Sequence, residues 1–213
     1  MSYRVVVFAS GNGSNLQALI DEIEAGRLDA RISLVIVNRR AAGARERAER
    51  AGIPSRYEPL RPWLERGQER VEYDAYLGDM VAAEDPAAIV MAGWMHVCAD
   101  VFVARFPNRI LNVHPALLPA FPGAHAISDA LAHGVKVTGV TIIYVQPGGL
   151  TNYDNGPIIL QEAVPVLADD SEDTLAERIH AAEHRLLPEA VRLHIAGRLR
   201  VEGRHVRILD APR

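Results

Sequence analysis

The chain has 213 residues, of which 49% are hydrophobic and 23% are charged. These proportions are typical of a globular domain with a sizeable core and exclude a disordered or low-complexity chain. The 27 acidic residues outnumber the 23 basic ones, so there is no basic excess to neutralise a nucleic-acid backbone, and we expect no nucleic-acid partner. Its one cysteine, Cys98, excludes an intramolecular disulfide and a thiolate metal cage. The absence of a signal-peptide pattern and of a run of roughly 20 apolar residues predicts a cytoplasmic protein.

The first half of the chain predicts alternating strands and helices. Uniformly apolar runs are typical of strands buried on both faces, and three of them lie at 5–9, 32–37 and 88–92. Segments with helical spacing separate and follow these runs at 14–25, 41–51 and 71–83. The alternation indicates an α/β fold with one doubly wound, mostly parallel sheet, helices on both faces and a Rossmann-like N-terminal half.

The second half predicts further strands at 110–114, 140–145 and 158–166. A capping box of Thr174 and Glu177 is expected to open a long helix, with a kink at Pro188. The tail beyond residue 197 predicts a closing hairpin. Because neither a repeat nor a linker interrupts the chain, residues 1–213 are expected to form a single domain.

A glycine-rich turn, Ser-Gly-Asn-Gly-Ser-Asn at 10–15, follows the first predicted strand and opens the first helix. Glycines let a ligand approach the backbone, and the free N–H groups of a helix start favour an anion. Leu16 occupies the third glycine position of a dinucleotide fingerprint, and no lysine follows in P-loop spacing. The turn therefore favours a monophosphate, while a capping box of Ser14 and Gln17 is the purely structural alternative.

Asn112 and His114 stand two residues apart on a predicted strand and so share one face. An amide donor beside a titratable imidazole suits oxyanion stabilisation combined with proton transfer, although a satisfied buried histidine is the alternative. Prolines at 115, 119 and 122 stiffen the loop that follows, and His125 ends this supporting rim. Asp154 lies in an Asp-Asn-Gly-Pro turn, where it is either a turn former or the carboxylate that orients His114.

Three polar residues, His180, Glu183 and His184, share one side of the long C-terminal helix. A solvated polar face and a ligand-binding face are both open interpretations. The spacing does not supply a third metal ligand, and we expect no metal. Trp63, Trp94 and Met95 are predicted to lie in the core or to line a pocket.

Together these motifs resemble the phosphoribosylglycinamide formyltransferases, the folate-dependent transformylases of purine biosynthesis. The similarity extends from Val5 to about Leu199. The wider formyltransferase superfamily is typified by the Asn-x-His-Pro-x-Leu-Leu-Pro run. The matching motifs are Ser-Gly-Asn-Gly-Ser-Asn-Leu-Gln at 10–17, Ala-Gly-Trp-Met at 92–95, Leu-Asn-Val-His-Pro-Ala-Leu-Leu-Pro at 111–119, Phe-Pro-Gly-Ala-His at 121–125, Asp-Asn-Gly-Pro-Ile-Ile at 154–159 and Glu-His at 183–184.

The resemblance implies transfer of a formyl group from 10-formyltetrahydrofolate, a co-substrate, to the amine of glycinamide ribonucleotide. Asn112 and His114 match residues that stabilise the oxyanion of the tetrahedral intermediate. Asp154 matches the carboxylate that keeps His114 charged and relays the proton of the attacking amine. Small-molecule substrates and a monomer or homodimer are therefore expected.

Binding residues follow from the same resemblance. The implied phosphate site comprises the loop N–H groups at Gly13, Ser14 and Asn15, with Arg70 reaching the same region and His180 standing where relatives carry Lys or Gln. The carboxylate of Glu183 matches the acceptor for the ribose hydroxyls. The implied folate pocket comprises Met95, His96, Val97 and Cys98, together with Asn112 and Asp154. The resemblance thus divides the domain into a phosphate-binding half, 1–110, and a catalytic and folate-binding half, 111–213.

The chain departs from the family at two places near the implied folate site. His96 stands where relatives commonly carry an arginine that contacts the folate carboxylate tail, which predicts a weaker contact. Residues 146–153 separate Val145 from Asp154, a loop about four residues longer than usual, although extra loop length costs little stability. This lengthening predicts either a displaced Asp154 or a loop that becomes ordered on folate.

Three rival functions stay open at the level of sequence. Formyltetrahydrofolate deformylases replace the amine with water but usually carry an additional N-terminal domain. Methionyl-tRNA and sugar-nucleotide formyltransferases normally have a longer chain, and the 121–125 motif does not suit them. The one alternative that is not an enzyme is a catalytically silent paralogue that binds folate or nucleotide. The presence of Asn112, His114 and Asp154 together argues against this alternative.

Overall fold

A computed structural model describes residues 2–149 and 153–210 of the protein. The strands of its nine-stranded sheet are β1 (Tyr3–Ala9), β2 (Ala30–Val37), β3 (Ser55–Tyr57), β4 (Ala88–Met91), β5 (Ile110–His114), β6 (Val137–Tyr144), β7 (Ile158–Pro165), β8 (Leu199–Glu202) and β9 (His205–Ile208). The helices are α1 (Ser14–Glu24), α2 (Gly43–Arg50), α3 (Arg61–Glu65), α4 (Arg70–Glu84), α5 (Asp100–Val103), α6 (Ala126–His133) and α7 (Glu172–Ile195).

The sheet has the strand order β3-β2-β1-β4-β5-β6-β7-β9-β8. The first five strands in this order pair in parallel, whereas β6 pairs antiparallel with both β5 and β7. The chain moves outward from β1 to β3 and then returns to β4 on the other side of β1. Such a reversal opens a crevice at the carboxyl ends of the strands, the usual ligand position in doubly wound sheets.

Alternate residues of β1 supply two separate cores, one on each face of the sheet. Val5 and Val7 pack with α1, α2 and α7, while Val6 and Phe8 pack with α4 and α5. The strand is apolar at every position because both of its faces are covered. The predicted α/β class, the helices on both faces and the closing hairpin (β8 and β9) are therefore confirmed.

The predicted capping box of Thr174 and Glu177 is wrong, and the alternative box of Ser14 and Gln17 is not formed either. The N-cap of α7 is Ser171, which forms a capping box with Thr174, so the helix begins earlier than predicted and then continues as one element past Pro188. The N-cap of α1 is Gly13 in the left-handed conformation, with no side-chain cap, which frees the Ser14 side chain from the capping role. Among the described residues, no helix is long and apolar enough to cross a membrane.

Four short elements were not predicted, namely β3, α3, α5 and α6. Helix α5 has only four residues and α3 has five, too few turns for a helical period to show in the sequence. Strand β3 has three residues, none of them fully buried, so an apolar run is missing. These elements are specified by packing against their neighbours rather than by their own pattern.

Candidate active site

Asn112, His114 and Asp154 meet in a mostly buried cluster at the carboxyl end of β5. The Asn112 Nδ2 atom lies 3.4 Å from Asp154 Oδ1, and His114 Nδ1 lies 3.7 Å from the same oxygen. The side chains of His114 and Asp154 are only 4% and 15% exposed. Because little water reaches this cluster, charges and hydrogen bonds act more strongly there than in solution.

The hydrogen bonds of His114 determine which of its nitrogens faces the cluster. Its Nε2 atom lies 2.8 Å from the carbonyl oxygen of Phe121. A carbonyl only accepts, so Nε2 carries the proton in the neutral ring. Nδ1 is then a proton acceptor aimed at Asp154, and it becomes a second donor when the ring is protonated.

Thr141 and Gln161 hydrogen-bond to the backbone of the proline-rich loop that follows β5. Sequence reasoning missed both residues. Thr141 Oγ1 accepts from the Leu118 N–H and donates to the Ala116 carbonyl, at 3.0 and 2.6 Å. Gln161 Nε2 donates to the Leu118 carbonyl at 2.9 Å. Both side chains belong to neighbouring strands, and Thr–Gln pairs at such distances in sequence carry no recognisable motif.

Asp154 is anchored from both sides despite the lengthened loop before it. The Gly123 N–H donates to its Oδ2 at 2.8 Å, and the preceding Tyr153 is buried in the core cluster on the α4 side of the sheet. Earlier in the loop, the Gly148 and Gly149 N–H groups both donate to Asp100. Residues 150–152 lie outside the described residues. The predicted displacement of Asp154 is therefore not seen, because its partners hold the carboxylate beside His114.

His125, predicted to support the site, is the exposed N-cap residue of α6 and makes no side-chain cap. Its carbonyl accepts from the Ser128 side chain at 3.0 Å. The residue thus lies on the rim formed by the loop after β5. The described hydrogen bonds of this rim to Asp154 and His114 come instead from the backbone of Gly123 and Phe121.

The glycine-rich turn at 10–15 lies at the same edge of the sheet, beside the segment that follows β4. The Ser10 N–H donates to the Gly93 carbonyl at 3.0 Å, and the Met95 N–H donates to Ser10 Oγ at 2.8 Å. Gly13 has a φ of 81°, and a Cβ there would meet Ala44 at 2.7 Å. Glycine is thus required both for the backbone conformation and for close packing on α2, and the first N–H groups of α1 have no partner within the helix.

Glu183 lies beside that turn, paired with Asn15. The Asn15 Nδ2 atom donates to Glu183 Oε2 at 2.8 Å, and both side chains are buried. Burial raises the pKa of Glu183, against a smaller lowering by the Asn15 hydrogen bond. His180 is exposed on the same helix, with its ring stacked on that of His184. Glu183 therefore does not belong to a solvated face, whereas the His180 side chain is exposed to solvent.

Arg70, His96 and Asp74 form a hydrogen-bonded chain beneath the 95–98 segment. Arg70 Nη2 lies 3.1 Å from His96 Nδ1 and donates to the Val97 carbonyl at 2.6 Å. His96 Nε2 lies 2.6 Å from Asp74 Oδ1. Both ring nitrogens of His96 are thus engaged, and the side chain is buried, so it has no free nitrogen for a ligand carboxylate. Among the described residues, no hydrogen bond joins Arg70 to the turn at 10–15.

The same segment contains Cys98 and Met95, whose environments differ. Cys98 is buried, as predicted, and burial raises the pKa of its thiol. Met95 is 55% exposed, which contradicts a core position and suits a surface that an apolar ligand covers. Asp74, His96 and Cys98 offer potential metal-ligand atoms within 4.8 Å of one another, but the adjoining Arg70 guanidinium opposes a cation there.

Comparison with known proteins places this fold and site in a family. Residues 3–191 match the formyl transferase family, and the chain belongs to it. A phosphoribosylglycinamide formyltransferase of Mycobacterium tuberculosis is 43% identical over 211 residues, which cover 96% of this chain and 94% of the relative. Glycinamide ribonucleotide transformylase 1 from Symbiobacterium toebii has a crystal structure with a TM-score of 0.92, 45% identity and coverage of 98% and 95% of the two chains. Within its family the chain is thus one of the phosphoribosylglycinamide formyltransferases, as predicted.

Two further relatives mark the limits of the comparison. The human trifunctional purine biosynthetic protein adenosine-3 is 43% identical over 195 residues, but this chain spans only 18% of its length. A formyltetrahydrofolate deformylase from Pseudomonas syringae has a TM-score of 0.88 at 27% identity, covering 99% of this chain and 67% of that one. The same fold therefore occurs in a protein described as a deformylase. The fold alone does not decide which molecule accepts the formyl group; the residues of the site do.

Proposed function

We propose that this formyltransferase moves the formyl group of 10-formyltetrahydrofolate to the amine of glycinamide ribonucleotide, with Asn112, His114 and Asp154 at the reacting carbon. The observation that carries the proposal is the convergence of Asn112 Nδ2 and His114 Nδ1 on one oxygen of Asp154. An amide donor, a titratable ring and a carboxylate meet there with little access for water.

In the first step the amine nitrogen forms a bond to the formyl carbon, and the carbonyl π electrons move to oxygen. The resulting oxyanion accepts hydrogen bonds from the Asn112 amide and from the Nδ1–H of protonated His114. Asp154 Oδ1 lies 3.7 Å from His114 Nδ1, so its negative charge faces the positive charge that the ring carries in this step. Donors held in place before the reaction stabilise the developing charge without reorganisation.

The second step needs one proton to leave the attacking nitrogen and one to reach the departing N10 of the folate. Asp154 accepts the first proton. The oxyanion electrons re-form the carbonyl as the bond between carbon and N10 breaks, and His114 donates its Nδ1 proton to N10. The proton held by Asp154 then passes to His114 Nδ1. The tautomer imposed by the Phe121 carbonyl leaves Nδ1 as the exchanging nitrogen. The products are then the formylated amide and tetrahydrofolate, and the enzyme regains its starting protonation.

The two substrates approach from the sides of this cluster. The turn at 10–15 offers N–H groups to the ribonucleotide phosphate, and the Glu183 carboxylate accepts from the ribose hydroxyls. Exposed His180 adds a donor near the phosphate. The folate lies along 95–98, where the Met95 side chain provides apolar surface and Arg70 provides the cation that buried His96 does not.

A formyl-transfer assay tests the proposal directly. The donor is 10-formyl-5,8-dideazafolate, and the acceptor is glycinamide ribonucleotide. We expect release of deformylated folate only when the ribonucleotide is present. Release without it would establish a deformylase instead. A third outcome is that folate raises the melting temperature of the protein, which shows binding, while no deformylated folate is released. That outcome would establish a silent paralogue.

Glu183→Gln tests the assignment of the ribose-binding carboxylate. The change keeps the shape and the Asn15 hydrogen bond but removes the charge that strengthens hydrogen bonds from the ribose hydroxyls. We expect the KM for the ribonucleotide to rise by about tenfold or more, with a much smaller change in kcat. Glu177→Gln, at an exposed position of the same helix, is the matched control. An unchanged KM in Glu183→Gln would contradict the assignment.

The same variant also changes how stability depends on pH. The pKa of Glu183 is raised in the folded protein, so between the unfolded and folded pKa values the folded state binds more protons, and stability falls as pH rises. Urea unfolding from pH 4 to pH 8 should therefore show the wild type losing stability relative to Glu183→Gln. A constant difference across this range would show that Glu183 does not titrate as inferred.

A further inference from the structure

The side chain of Arg47, on α2, hydrogen-bonds to the glycine-rich turn and to the start of α1. Its Nε donates to the Asn12 carbonyl at 2.9 Å, and its Nη2 donates to Asn12 Oδ1 at 2.6 Å. Its Nη1 donates to Gln17 Oε1 at 3.2 Å. One guanidinium thus engages three acceptor oxygens belonging to the turn and to the first turn of α1.

The backbone of α2 packs closely against the glycine-rich turn around this contact, so a change at Arg47 would also affect the turn. A Cβ on Gly43, the first residue of α2, would lie 2.9 Å from the Asn12 carbonyl oxygen. On the other side a Cβ on Gly13 would meet Ala44, whose N–H points to the Gly11 carbonyl at 3.4 Å. Helix α2 therefore packs directly on the turn, and the Arg47 side chain forms hydrogen bonds between the two.

An anion site must present donors, because carbonyl and amide oxygens near a phosphate repel it. We infer that Arg47 is a positioning residue for phosphate binding: it holds the acceptor oxygens of Asn12 and Gln17, so that the turn offers its N–H groups to the anion. The inference rests on the proposed function, since it takes the phosphate to bind at this turn. The guanidinium also adds positive charge beside the turn.

The positive charge of Arg47 also acts on α7, the helix that carries Glu183. Burial lowers the pKa of His184, and the charges of His180 and Arg47 lower it further. Arg47 therefore acts on the same region that the ribonucleotide is proposed to occupy. A residue that merely fastened α2 to the turn would contribute stability, whereas a positioning residue changes the affinity for phosphate.

Arg47→Gln and Arg47→Lys separate these roles, with Arg50→Gln as control. Arg50 is exposed on the same helix and donates to the Glu46 carbonyl of its own helix. In Arg47→Gln we expect the KM for the ribonucleotide to rise about tenfold, with kcat and the KM for the folate nearly unchanged. Arg47→Lys keeps the charge but not the three-way fork, so about a threefold rise is expected. Arg50→Gln should match the wild type.

Two further readouts make the result decisive. The difference in KM between wild type and Arg47→Gln should shrink as salt is raised, because a charge effect at this site is screened. Calorimetry with ribose 5-phosphate measures phosphate binding without any turnover, so weakened binding in Arg47→Gln supports the inference even if the wild type transfers no formyl group. A lower melting temperature with unchanged KM and unchanged ribose 5-phosphate affinity would overturn it, as would a wild type that does not bind ribose 5-phosphate.

Discussion

His114→Ala and Asp154→Asn are each expected to lower kcat by at least ~100-fold, the usual loss when an acid–base or oxyanion group is removed. The first removes the donor at the developing oxyanion. The second keeps the size of the side chain and its Gly123 contact but removes the negative charge that faces the His114 ring. Steady-state and single-turnover rates of formyl transfer provide the measurement.

The two variants should also be non-additive, because the residues act as one unit. The double variant is expected to be little slower than His114→Ala alone. Among the described residues neither side chain hydrogen-bonds to the turn at 10–15, so the affinity for ribose 5-phosphate should stay near that of the wild type. Near-normal kcat in both single variants would refute the mechanism, and loss of ribose 5-phosphate binding would point to misfolding instead.

Gly156→Ala should be among the most damaging substitutions outside the catalytic residues. A Cβ at this position would lie 1.7 Å from the Tyr144 carbonyl oxygen, and backbone cannot move aside as a flexible side chain can. Because residue 156 belongs to the turn that carries Asp154, relief of the clash moves the carboxylate. We expect a loss of about 3 kcal/mol in unfolding free energy, measured by urea denaturation, and a kcat at least about tenfold lower.

Gly197→Ala controls for the loss of a glycine without a clash. Gly197 has a φ of 66°, and a Cβ there meets nothing within 4 Å. Its expected cost is therefore the backbone strain alone, about 1 kcal/mol, with kcat unchanged. Equal effects of the two substitutions would show that the close approach at Gly156 is relieved without consequence for Asp154.

The sequence pattern was sufficient to predict those features that depend only on residues close together in the chain. The apolar runs at 5–9, 32–37 and 88–92 predicted strands buried on both faces, because a central parallel strand has no solvent side. The two-residue period of a strand was enough to place Asn112 and His114 on one face. The glycine-rich turn before α1 was also visible, since its glycines and the start of the helix are consecutive in the chain.

Errors arose where several local interpretations were equally good. Ser171 and Thr174 both suit an N-cap, and only the backbone of α7 shows which of them precedes the helix. Gly156 looked like an ordinary turn glycine, whereas the Tyr144 carbonyl in the neighbouring strand is the reason for it. His96 looked like a ligand, yet Asp74 and Arg70 occupy both of its nitrogens.

By itself, the sequence determined the class of fold, the family and the residue types available for chemistry, because these follow from consecutive residues and fixed side-chain periods. Only the tertiary structure decided which of those residues meet. Asn15 and Glu183 are 168 positions apart and share a buried hydrogen bond, and Arg47 reaches back 35 positions to Asn12. The period of a helix or strand shows on which face a side chain lies. Which residue that side chain contacts depends on the order and packing of the elements that separate the two residues in the chain.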